Sequence, residues 1–130
     1  MYNATEQEYL SILDKIHRNN TETKKLQRTA RKIRTKLQDL RAQYIIDIGT
    51  KKDDKGKPVY SNEHLREAEL TNRLNNNSEY IKLRDELWEI DEKLDVLYVE
   101  NNKLVDIKYM LMMKLGIPFD EGAEKYPDIH

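Results

Sequence analysis

A chain of 130 residues with 36% charged and 38% hydrophobic residues, four glycines and three prolines has the composition of long helices, and it is too short for two ordinary domains. A formal net charge of -1 excludes a general polyanion binder, and the lack of cysteine excludes a disulfide framework and thiolate chemistry. The polar start is no signal peptide, and no apolar run approaches the roughly 20 residues of a membrane span, so a cytoplasmic protein without membrane contact is expected.

The first predicted element is a helix from Thr5 to Ile48, with Thr5 and Glu8 placed as a capping box. Tyr9, Ile12, Ile16, Asn19, Thr23, Leu26, Ala30, Ile33, Leu37, Leu40 and Tyr44 recur along it at steps of three and four, the signature of one helix face set against a partner. That seam is polar or small between Asn19 and Ala30. Gly49 is expected to end the helix, because glycine turns left-handed at a C-terminal cap without steric cost.

Residues 49–62 read as an exposed loop built on Asp54, Lys55, Gly56 and Pro58, with Val59 and Tyr60 pinning its return. A short helix over 63–75 follows, capped by Ser61 or Asn62, with Leu65, Ala68 and Leu70 or Leu74 inward. The run Asn75, Asn76, Asn77 interrupts it, since asparagine amides compete for nearby backbone groups.

The second long helix, 78–115, carries the other seam: Tyr80, Leu83, Leu87, Ile90, Leu94, Leu97, Asn101, Leu104, Lys108, Leu111 and Leu115. Gly116 and Pro118 stop it. The tail, 116–130, spaces Phe119, Tyr126 and Ile129 among acids and prolines, and is too short to fold alone.

Two seams in one chain imply an all-α fold: a long antiparallel helical hairpin of coiled-coil type with a short connecting helix, assembling into a helical bundle. Setting Asn19 opposite Asn101 matches apolar layers elsewhere, and buried asparagines of this kind specify register. Trp88, Tyr98, Val105, Tyr109 and Met112 extend the apolar surface beyond one stripe. That surplus predicts a further contact, from a second copy in a homodimer or higher oligomer, from the tail or from the short helix.

Charge is segregated, the first long helix being basic and the second acidic. Lys24, Lys25, Arg28, Arg31 and Lys32 lie away from the seam, where a row of cations suits a nucleic-acid backbone as well as it suits solvent. His17, His64 and His130 share no metal-ligand spacing, and His64 with Glu63 and Glu67 is a lone chelate possibility outweighed by a surface histidine. No phosphate loop, nucleophile elbow or di-iron pattern occurs, so no enzyme, cofactor or metal is expected.

The charged heptads and the loop Asp54 to Glu63 (DKGKPVYSNE) resemble the short helical-hairpin accessory proteins of phage and mobile-element replication or recombination modules. Asp53 and Asp54 at the hairpin tip loosely resemble the metal-holding acids of Gre-type transcript-cleavage factors, but Lys51, Lys52, Lys55 and Lys57 oppose a cation there. Prefoldins and the tRNA-binding arm of seryl-tRNA synthetase are similar hairpins. The former have β-hairpins at the joint and the latter is one part of a larger enzyme, neither of which this chain repeats. The leading expectation is a non-enzymatic, self-associating coiled-coil scaffold for an unknown protein partner. The alternatives are a sequence-independent nucleic-acid-binding accessory factor and an inhibitor of a host or foreign enzyme.

Overall fold

The computed structural model describes residues 2–118, so the expectations for Phe119, Tyr126, Ile129 and the rest of the tail lie outside the described residues. Three α-helices account for most of that span: α1 (Ala4–Thr50), α2 (Glu63–Asn75) and α3 (Ser78–Leu115). The fold is all-α, with α1 packed against α3 as a helical hairpin.

Every residue of both seams is buried or half-buried, from Tyr9 to Tyr44 on α1 and from Tyr80 to Leu115 on α3. Burial removes each aliphatic side chain from water, a gain of roughly 1.5–3 kcal/mol per residue. Among the described residues, contacts form two units, one of residues 2–28 with 90–118, the other of Thr29–Glu89.

In the first unit Ile12, Leu104 and Leu111 form the core, with Tyr9 and Ile16 packed on it. Asn3, not Thr5, starts the helix: its Oδ1 accepts from the backbone of Glu6 at 2.8 Å and its carbonyl accepts from Gln7. Asparagine is at least as good a cap as threonine, and capping at Asn3 gains two residues of helix. At the other end α3 closes at Gly116, which adopts a positive φ of 69°. The amides of Gly116 and Ile117 donate to the carbonyls of Met113 and Met112, satisfying two of the last orphan acceptors.

In the second unit Ile48, Leu70 and Leu74 form a buried cluster flanked by Tyr44, Tyr60 and Tyr80, and Ala30, Ile33 and Leu83 are buried as well. Gly49 does not end α1. The helix continues to Thr50, whose hydroxyl donates to the carbonyl of Ile46 at 2.7 Å and so holds the last turn without a left-handed residue. The loop then doubles back: Val59 donates to the Lys51 carbonyl, Lys52 and Pro58 form an isolated antiparallel bridge, and Gly56 takes a φ of 75° at the tip.

Asn62 caps α2 by accepting from Leu65 at 2.9 Å. The inward face of α2 is Leu70 and Leu74, whereas Leu65 and Ala68 are exposed. Asparagines occupy the whole junction that follows, Asn75 ending α2, Asn76 serving as its C-cap and Asn77 capping α3 by accepting from Tyr80 at 2.9 Å. Asn77 also donates through Nδ2 to the Tyr44 hydroxyl at 2.7 Å.

Candidate interaction surfaces

The polar interval of the α1 seam meets a polar interval of α3 inside the first unit. Asn101, 1% exposed, donates from Nδ2 to Oδ1 of Asn20 at 2.8 Å. The amide that Asn101 finds is therefore Asn20, not Asn19. Successive residues on a helix point about 100° apart, so the seam passes between Asn19 and Asn20 and either can turn inward. Asn19 is half-buried, and its Nδ2 has no hydrogen-bond partner. Oγ1 of Thr23 and Oδ1 of Asn101 and Asn102 share that condition. A buried polar atom left unpaired costs roughly 1–3 kcal/mol, so this layer weakens the hairpin while constraining which side chains may face each other.

The surface residues expected from sequence separate into different environments. Met112 is 6% exposed and belongs to the interior of the first unit, while Val105 and Tyr109 are half-buried. Met112 is therefore covered within the single chain, whereas Val105 and Tyr109 keep part of their surface open. Tyr98 is exposed at 38%, and Tyr109 lies under the Lys108 ammonium at 5.2 Å. Trp88, in the second unit, is 64% exposed.

The open apolar face of the first unit is elsewhere, on the side of α3 away from the seam. Val96, Val99, Met110 and Met113 are 64%, 52%, 57% and 69% exposed. With Lys103 and Asp106 between them they step by three and four residues, which makes a second heptad row. Asp95, Val96, Val99, Glu100 and Lys103 line a shallow, mainly apolar depression on it. The seam's periodicity hid this row, but the spacing was there to be read.

All five cations of the expected basic face, Lys24, Lys25, Arg28, Arg31 and Lys32, are exposed on α1. Lys25 already has an interaction within the chain. At the loop tip, Asp53 accepts from the amides of Lys55 and Lys57, both at 2.9 Å, so its carboxylate serves the turn. Asn62, Glu63, His64, Leu65 and Glu67 line a wide surface hollow at the start of α2. Among the described residues no group of three or more His, Asp or Glu side chains is arranged to hold a metal ion, and no helix is long and apolar enough to cross a membrane.

One residue that spacing did not single out organises the second unit. Arg73 bonds through Nε to Glu69 Oε1 at 2.8 Å, through Nη1 to Asp47 Oδ2, and stands 6.0 Å over the Tyr60 ring. The hydrogen bond from Arg73 holds the Glu69 carboxyl below its ordinary range, and both carboxylates hold the guanidinium above its own. The available signal was Glu69 four residues before Arg73, a favourable helical pair. Its long-range arm to Asp47 has no local signature.

The chain matches no protein-family model, no curated protein and no solved structure.

Proposed function

We propose that this chain is a non-enzymatic helical interaction protein that self-associates and acts as a scaffold or accessory within a larger assembly. The observation that carries this reading is the row of large apolar side chains on α3 that α1 leaves open, from Val96 at 64% exposure to Met113 at 69%. Two exposed apolar pairs, Val96 with Val99 and Met110 with Met113, on one side of a helix mark a binding face, and a second copy is the commonest cover. An accessory role like that of the hairpin proteins of mobile elements fits the same charged heptads. Sedimentation velocity over a concentration series tests the reading. A dimer or larger species is expected, and a monomer at every concentration overturns it.

A second reading is favoured by the exposure of Lys24, Arg28, Arg31 and Lys32 on α1. Cations spaced along a helix bind a phosphate backbone without regard to sequence, and each contact steepens the salt dependence by a slope of about 0.9 in log K against log salt. Titration with duplex and single-stranded DNA at two salt concentrations tests it. Binding that fades steeply with salt, and that disappears when Arg28, Arg31 and Lys32 are replaced by glutamate while helicity is retained, supports this function. No binding at low salt removes it.

A further inference from the structure

We propose that the outer face of α3 in the first unit docks on the same face of a second copy, antiparallel, about a two-fold axis passing between Lys103 and Asp106. The proposal rests on the self-association reading and names the surface and geometry it uses.

The row Val96, Val99, Lys103, Asp106, Met110, Met113 is palindromic in chemistry. Laid head to tail against its own copy, it sets Val96 against the partner's Met113, Val99 against the partner's Met110, and Lys103 against the partner's Asp106. The two-fold axis repeats each of these contacts once. All six side chains are exposed in the single chain. A two-fold interface requires that one surface be complementary to itself, and this one is, with apolar positions at both ends and opposite charges at the centre. A parallel pairing would set Lys103 against Lys103 and Asp106 against Asp106, so charge selects the antiparallel arrangement. Valine against methionine also suits close packing, because the unbranched thioether adapts to the space beside a branched side chain.

The chain has no cysteine, so single thiols can be introduced cleanly. Val99→Cys and Met110→Cys are prepared separately, then oxidised alone and as an equimolar mixture, beside sedimentation of the unmodified protein. In the proposed dimer two copies of position 99 lie about 16 Å apart along the helix axis, beyond disulfide reach, whereas positions 99 and 110 of different copies face each other. Crosslinked dimer is expected in the mixture and in neither variant alone. In parallel, Lys103→Asp should weaken dimerisation about tenfold or more by placing like charges together, and adding Asp106→Lys to it should restore the wild-type affinity.

Crosslinking of Val99→Cys alone, or an unaffected dimer in Lys103→Asp, overturns the proposed geometry. A wild-type dimer with no crosslink in any sample leaves self-association standing and removes this surface from it. A wild-type monomer at every concentration removes both.

Discussion

Asn101 donates to Asn20 at 2.8 Å across the hairpin, while its own Oδ1 and one buried polar atom each of Asn19, Thr23 and Asn102 find no partner. One amide bond made among unpaired polar atoms, Asn101's own Oδ1 included, stabilises one alignment of the helices more than it stabilises the fold. Replacing Asn101 with alanine should therefore destabilise the protein by about 1–3 kcal/mol, through loss of the bond and through the orphaned Asn20 amide. Leucine at both Asn20 and Asn101 should recover or exceed wild-type stability, since removing both partners removes both penalties. Urea denaturation of the two variants checks the contrast. Equal losses in both would show that the pair adds nothing to the alignment.

Thr23 is 1% exposed and its hydroxyl is unpaired. Valine has nearly the same shape without the polar atom, so Thr23→Val should raise stability by about 1 kcal/mol. Serine retains the hydroxyl and loses the methyl, and should lower stability instead. A thermal midpoint that falls with valine would mean that the hydroxyl is satisfied in solution.

The Glu69 carboxyl is held below its ordinary value of 4.5, first by its hydrogen bond from Arg73. A carboxyl whose folded-state value is depressed contributes stability above its unfolded value, and the contribution is lost as pH falls through the folded value. The stability difference between wild type and Glu69→Gln should accordingly be constant at neutral pH and shrink below 4.5. Denaturation at a series of pH values gives the profile. A difference that grows on acidification would reverse the assignment.

Asn77 serves two helices at once, capping α3 through Oδ1 and holding Tyr44 of α1 through Nδ2. Asn77→Ser should keep the cap and lose the tie to Tyr44, whereas Asn77→Ala loses both. The expected order of stability is wild type, serine, alanine, with roughly 0.5–2 kcal/mol between serine and alanine for the cap. Tyr44→Phe should resemble the serine variant. Thermal melts rank all three, and a serine variant as unstable as the alanine one would leave the cap without value.

Both seams were legible because burial follows the three-four spacing position by position, so Tyr9 to Tyr44 and Tyr80 to Leu115 could be read directly. Gly116 was legible as a stop because a left-handed cap has a local chemical requirement. What depends on distant geometry was not. Leu65 resembles Leu70 in sequence, but only Leu70 and Leu74 reach Ile48. Which of Asn19 and Asn20 meets Asn101 is decided by rotation of α1 about its axis, which no local pattern states. Met112 and Met113 are adjacent and alike, but one is 6% and the other 69% exposed. The apolar surplus on α3 is therefore legible in its sequence, whereas which of its residues stay open, Met113 and not Met112, depends on how the helix is rotated.

Met110 and Met113 place their thioethers in solvent, while Met112 between them is shielded. Peroxide converts such a sulfur into a sulfoxide, a polar and chiral group, and reductases reverse the change. In a chain without cysteine, Met110 and Met113 on the open face of α3 are, among the described residues, the sulfurs most open to oxidants, and their oxidation would make that face polar until it is reversed.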